Sequence, residues 1–232
     1  YGALQLSAPE NPVSFSVPTG NFGNVFAGYG AKRMGLNIEK LIIGSNSNDI
    51  LSRFFEDGRM LTTGVHPTIS PSMDIQISSN FERLLFELYG RDGDITQTMM
   101  KTFSDTGLFE VGQGQLEQAQ SLFSAQRFSD DETLAIMKQI LIENKELLDP
   151  HSAIGVAAGR DKRINSGAPH ISLATAHPAK FPDAVRQACG QQPVLPPSLS
   201  DLFEREEHFI TLQNDRNQVQ DFIKKHRMDG AN

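Results

Sequence analysis

Apolar and polar residues alternate over 13–17 (Val13, Ser14, Phe15, Ser16, Val17), the period of a half-buried strand. The stretch 18–24, Pro-Thr-Gly-Asn-Phe-Gly-Asn, breaks that alternation as a tight turn does. Residues 25–34 then predict a helix that Gly35 ends. Residues 40–44 form a short apolar run of the kind found in buried parallel strands. Strand, helix and strand make one βαβ unit, for which a right-handed crossover is expected.

Polar residues 45–48 follow as a second turn. Asp49 is expected to cap a helix over 50–56 that Asp57 and Gly58 end. Residues 59–79 contain Gly64, Pro67 and Pro71 and predict no regular element; irregular stretches of this length are often functional. Ser79 and Asn80 are expected to cap an amphipathic helix over 81–89, with Phe81, Leu84, Leu85, Phe86 and Leu88 as core. A further helix is expected over 94–103. Residues 107–128 read equally as helix or strand. Ser129 and Glu132 have capping-box spacing ahead of a helix over 133–144. Pro150 opens a helix over 151–158 whose small residues call for close packing. A strand over 170–174 ends in a third polar turn, 175–178. Helices over 183–188 and 214–224 flank a linker at 195–198.

Composition narrows the class. The 232 residues are 38% hydrophobic and 21% charged, which predicts a globular chain. Net charge is −7 with no long basic run, so nucleic acid is not an expected partner. No apolar run approaches the ~18 residues of a membrane span, so no membrane is expected either. The single cysteine, Cys189, excludes a disulfide framework and fits a cytoplasmic location. The chain opens on Tyr1, residues 1–6 read as the tail of a helix, and no signal peptide is visible. The expectation is a segment that starts inside a longer protein.

In parallel sheets ligands bind at the carboxyl ends of the strands, and the three polar turns all fall there. The turn 18–24 has two readings. It is an anion cradle built from glycine-permitted curvature and the free N–H groups of a helix start, or it is an ordinary βα turn. Asn46 and Asn48 offer amides at the second turn, and Thr175 and His177 offer a hydroxyl and an imidazole at the third. One anionic ligand with a polar ring atom at its far end would use all three. Nucleotide motifs fail: Gly23 to Gly28 has P-loop spacing but is followed by Tyr29 and Gly30, and Gly112-Gln113-Gly114 lacks a third glycine. No G-x-S-x-G elbow or H-E-x-x-H metal motif occurs, and no metal site is expected. His177 is expected to be a turn histidine with a structural hydrogen bond, and His151 to cap or pack. Arg160, Lys162 and Arg163 are expected to be an exposed basic cluster.

With these pieces in order, the chain resembles the threonine synthase family, pyridoxal-phosphate enzymes of fold type II. The matching stretches are 16–24, 45–49, 71–75 with 79–83, 149–153 and 174–181. They occur in the family's order and span nearly the whole chain, like the C-terminal half of the family's longer form. The resemblance implies an α/β fold: a three-layer, open, mostly parallel sheet of the tryptophan synthase beta type. It implies one cofactor-bearing large domain over 1–232, with 190–232 an extension packed on it. Gly20, Asn21, Phe22, Gly23 and Asn24 would hold the phosphate of pyridoxal 5'-phosphate through backbone N–H groups, and Thr175 would meet its pyridine nitrogen. Other members often carry Ser at the position of Thr19 and Asp at that of Asn24, and backbone donation survives both changes.

The implied reaction is conversion of O-phospho-L-homoserine and water to L-threonine and phosphate, a carbon–oxygen lyase chemistry, by a monomer or homodimer. The family's Schiff-base lysine lies in its N-terminal half, and no lysine here stands in a matching context. The resemblance therefore implies an active full-length protein and an inactive 232-residue fragment. Two alternatives remain at this point: a threonine synthase-like O-phosphohomoserine phospho-lyase, and a phosphate-binding domain without catalysis.

Overall fold

The computed structural model describes residues 1–6, 8, 10–161 and 168–227. The chain divides into two compact units, Tyr1–Val194 and Leu195–Asn232. In the first unit the order is α1 (Gly2–Gln5), β1 (Val13–Pro18), α2 (Gly23–Arg33), β2 (Ile38–Ser45), α3 (Ile50–Asp57) and β3 (Arg59–Leu61). There follow α4 (Glu82–Leu88), α5 (Gly93–Thr106), β4 (Leu108–Glu110), α6 (Gln113–Leu122) and β5 (Phe123–Arg127). The unit closes with α7 (Asp130–Asn144), α8 (Pro150–Arg160), β6 (His170–Ser172) and α9 (Pro182–Cys189). Among the described residues the second unit holds two short 3-10 turns and α10 (Arg216–His226).

Four strands form a parallel sheet in the order β5-β2-β1-β6, and β3 and β4 form a separate antiparallel pair. The period-2 geometry of a strand sends alternate residues of β1 and β2 to opposite faces, and two different layers cover them. On one face Val17, Leu41 and Ile43 join Val25 of α2, Leu51 and Phe54 of α3, and Ala119 of α6 in the main core. On the other face Ile42 packs with Met73, Phe128 and the Ile154, Ala157 and Ala158 side chains of α8. The expected three-layer, mostly parallel α/β architecture is thus present.

β1 departs from its expected half-buried state. Ser14 and Ser16 have 0% exposure, because both faces of the central strand are covered. Their small side chains let α8 lie close, and Ser16 Oγ bonds Ser172 Oγ at 2.8 Å on β6. Glycine serves the same end within α8: a Cβ on Gly155 would come to 2.9 Å from Pro18 Cδ, so a larger residue would push the helix off the end of β1.

The ambiguous stretch 107–128 resolves into β4, α6 and β5. β5 follows α6 with no intervening loop and takes the sheet edge beside β2, with Leu41 opposite Phe123. Two expected caps are used otherwise. Asp49 accepts from Arg53 Nε at 2.9 Å instead of capping α3, and α4 starts after Phe81 without a side-chain cap. The Ser129–Glu132 capping box is formed, and Asp149 caps α8 ahead of Pro150. Phe86 is only half-buried, unlike Phe81, Leu84, Leu85 and Leu88. Arg160 pairs with Glu143 at 3.0 Å; Lys162 and Arg163 lie outside the described residues.

Candidate functional site

The turn between β1 and α2 is held from three sides. Phe22 stands at φ 63°, ψ 3°, a left-handed conformation uncommon for a non-glycine residue. Its ring supplies the reason. It is fully buried, 5.0 Å from Phe81, 5.7 Å from Phe123 and 6.3 Å from Phe55 between ring centroids. The Phe22 N–H donates to Thr19 Oγ1 at 2.9 Å, closing the turn on itself. From outside, the Ser79 N–H and Oγ–H both donate to Asn21 Oδ1 at 2.7 Å, and Asn80 Nδ2 donates to the Asn21 carbonyl at 3.0 Å. Ser79 and Asn80, expected as helix caps, therefore clamp this loop. Gly20 lies hard against the segment below it: a Cβ there would meet Ile75 Cγ1 at 2.9 Å and Met73 Cα at 3.2 Å.

The loop forms one wall of a cavity of about 320 Å³ lined by Thr19, Gly20, Asn21, Gly23, Asn24, Ser72, Asn80, His151, Thr175 and Lys180 among others. Five of the six sequence-predicted binding residues meet here. Phe22 is placed differently: its ring belongs to the core and its N–H is spent on Thr19, so it anchors the loop rather than facing the cavity. The N–H groups of Gly23 and Asn24 open α2, where no intrahelical acceptor exists and the helix end is positive. Those residues suit an anion with several acceptor oxygens. Thr175 lies across the cavity with its own N–H donated to Ser152 Oγ at 3.2 Å. Lys180 carries its ammonium 5.5 Å from the Phe181 ring at the same cavity.

Asn46 and Asn48 do not face this cavity. Both are buried. Asn46 Nδ2 donates to Asp74 Oδ1 at 2.7 Å and to Thr68 Oγ1 at 2.8 Å, and Asn48 Nδ2 donates to Asp74 Oδ1 at 2.9 Å and the His66 carbonyl at 2.8 Å. They fasten the irregular segment 62–76 instead of a ligand. That segment in turn delivers Ser72 and Met73 to the cavity. His177 is the turn histidine expected, its Nδ1 accepting the Ala179 N–H at 3.2 Å.

One group has no role of its own in the sequence pattern, where Pro150 opens the helix. Asp149 is fully buried. Its Oδ1 accepts from the His151 N–H at 2.8 Å, from His151 Nδ1 at 2.9 Å and from the Ser152 N–H at 3.3 Å, while Ser152 Oγ–H donates to Oδ2. Burial alone would raise its carboxyl, but the hydrogen bonds from His151 and Ser152 outweigh that and hold it below the usual carboxylate value. His151 Nε2 accepts the Ser72 N–H at 3.2 Å, so Nδ1 carries the proton it donates to Asp149. Aspartate before proline is a strong helix-start signal, but nothing in that signal points to Ser72 or Thr175.

A larger surface cavity, about 1,130 Å³, has Phe86, Glu87, Met100 and Lys101 in its lining. It lies along α4 and α5, not at the strand ends. Among the described residues no cluster of three His, Cys, Asp or Glu side chains could hold a metal ion, and no helix is long and apolar enough to cross a membrane.

The fold and site are those of an open, parallel-sheet α/β protein with a polar cavity at the carboxyl ends of β1 and β6. Residues 152–223 match the family model described as "Threonine synthase, C-terminal". Over 227 residues the chain is 48% identical to threonine synthase of Pseudomonas aeruginosa, a match covering 97% of this chain and 48% of that protein. The crystal structure of PLP-bound threonine synthase from Brucella melitensis superposes with TM-score 0.89 at 53% identity, covering 97% of this chain and 48% of that one. Yeast threonine synthase superposes with TM-score 0.82 at 38% identity, covering 97% and 50%. The chain belongs to the threonine synthase family, whose fold-type II architecture it shares, and it spans about half the length of the relatives it matches.

Proposed function

We propose that this chain is the part of a threonine synthase that grips the cofactor's phosphate and ring nitrogen, and that the full-length protein converts O-phospho-L-homoserine and water to L-threonine and phosphate. The observation that carries this reading is the loop 18–24. It is clamped by Ser79, Asn80 and the buried Phe22 ring, and the helix-start N–H groups of Gly23 and Asn24 border a polar cavity shared with Thr175. A phosphate fits this site on a physical test. Gly20 and Gly23 both line the cavity without side chains, and added ones would run into Ile75 and Asn80, so the backbone forms that part of the wall beside the helix-start N–H groups of Gly23 and Asn24. The relative from Brucella carries PLP, and its chain matches 97% of this one.

In this reading the N–H groups of Gly20, Asn21, Gly23 and Asn24 bind the phosphate of pyridoxal 5'-phosphate, and Thr175 Oγ1 meets its pyridine nitrogen. Pyridoxal phosphate, when bound, supplies an electron sink for charge developing on an amino-acid carbon. A hydroxyl at the ring nitrogen, unlike a carboxylate, does not favour a protonated ring, which suits elimination and replacement over transamination. Lys180 places a positive charge at the cavity, where an anionic substrate would meet it.

The test is direct. The full-length protein should release phosphate from O-phospho-L-homoserine with threonine formed in equal amount. Phosphate release with only 2-oxobutyrate formed would replace this reading with a phospho-lyase. Failure of the protein to bind pyridoxal phosphate or its amine analogue would reduce it to a phosphate-binding domain.

A further inference from the structure

A carboxylate with no exposure is costly unless several donors surround it. Asp149 has four: two backbone N–H groups of the α8 start and two side chains. Capping alone needs only the first pair, and a neutral Ser or Asn would serve for that. The second pair leads elsewhere. His151, held through Nδ1, presents Nε2 to the N–H of Ser72, and its ring lies 4.5 Å from that of Phe181. Ser152, whose hydroxyl proton is committed to the ionised Asp149, presents its oxygen lone pairs to the N–H of Thr175. Ser72 and Thr175 come from distant segments, the turn at Pro71–Met73 and the turn after β6, and both line the same cavity.

We propose that Asp149 is the positioning residue of this pocket: one oxygen sets the Ser72 wall through His151, and the other sets the Thr175 wall through Ser152. The identity of the ligand rests on the function proposed above; the positioning does not. An ionised carboxylate can only accept, so it forces the direction of both relays. His151 is left with an accepting Nε2, and Ser152 with an accepting oxygen toward Thr175. An amide at position 149 would keep the shape of the cap but would put a donor where the Ser152 hydroxyl proton now points.

The test uses the full-length protein with pyridoxamine 5'-phosphate as probe, since this amine needs no lysine to bind. Ser152→Ala, Asp149→Asn and Thr175→Val are each expected to weaken binding about fivefold, the loss of one net hydrogen bond. If Ser152 acts through Thr175, the Ser152→Ala/Thr175→Val double variant binds no more weakly than Thr175→Val alone. Independent losses, compounding to about 25-fold, would overturn the proposal. Hydrogen exchange supplies a second readout that needs no ligand. The Thr175 amide should exchange at least tenfold faster in Ser152→Ala and in Asp149→Asn, beyond any change in global unfolding. Unchanged exchange at Thr175 in both variants would also overturn it. A wild-type protein that does not bind the probe would remove the cofactor reading, and the exchange data would still decide the positioning role.

Discussion

The turns after β1 and β2 sit side by side, with Pro18 opposite Gly44 in register; the first is rich in Gly and Asn, the second in Ser and Asn. They do opposite things with their polar groups. In the turn after β2, the Asn46 and Asn48 amides are buried and consumed by Asp74, Thr68, Ser70 and His66. In the turn after β1, the fastening comes from outside, through Ser79, Asn80 and the Phe22 ring, and the N–H groups at the start of α2 keep the cavity side. The local chemistry is nearly the same; the neighbours differ. A polar turn holds the protein together when a carboxylate such as Asp74 lies within reach. It keeps its N–H groups facing a cavity when its anchors act on its back.

That contrast can be broken experimentally, beginning where the effect is largest. Phe22→Ala should cost about 3–5 kcal/mol in urea unfolding, because it empties the centre of the aromatic cluster and leaves a left-handed residue without its anchor. A loss below about 0.5 kcal/mol, the size of an ordinary surface change, would mean the loop is held by something else. Asn46→Ala should cost about 1–3 kcal/mol by stranding buried partners, with ligand affinity falling only as far as the folded population falls. Weaker binding at unchanged stability would erase the distinction between the two turns.

Gly20→Ala is a smaller, local perturbation. Overpacking against Ile75 and the Met73 backbone should lower pyridoxamine 5'-phosphate affinity roughly tenfold, an overpacking cost of about 1.4 kcal/mol. Gly23→Ala should be milder, since Gly23 is not among the positive-φ glycines and its nearest neighbour is the end of the Asn80 side chain. A larger loss at Gly23 than at Gly20 would place the ligand directly against the Gly23 Cα. The smallest effect is a pH dependence. The Asp149 carboxyl is held below its usual value, so its contribution is complete above the unfolded value near 4 and fades as pH falls through the lower native one. Urea midpoints of wild type and Asp149→Asn should therefore differ by a constant amount from about pH 5 to 7 and converge below about pH 4. A difference that grows on acidification would contradict the lowered carboxyl.

The fold was read well where one layer of local pattern sufficed. The βαβ unit over 13–44 followed from an alternating strand, a Gly/Asn turn and an apolar run, and the α7 start from Ser129 and Glu132. β5 was not legible because its alternation lasts only four residues, Phe123 to Gln126, and α6 runs straight into it with no loop to mark the change. Its strand state comes from the free edge of β2. Ser14 and Ser16 pointed to a wet strand face, because alternation cannot tell water from a close-packed helix of small residues. The strand-end rule had already grouped the loop at 18–24 with Thr175, more than 150 residues away, and the family resemblance gave the two ends their roles.

What the sequence determined by itself is the set of elements and the chemistry on offer. It holds a glycine-rich turn between a strand and a helix, polar turns at three strand ends, and no basic run or metal motif. Only the tertiary structure decided which of those polar groups remain available. Asp74 comes from a segment with almost no regular pattern, Ser79 and Asn80 were expected as helix caps, and Asp149 was given no role of its own beyond its place in the matching stretch 149–153. Hydrogen-bond donors and acceptors are identical in a saturated turn and an open one. The difference lies in which partners the fold carries to within 3 Å of them, and that is a property of packing, not of local sequence.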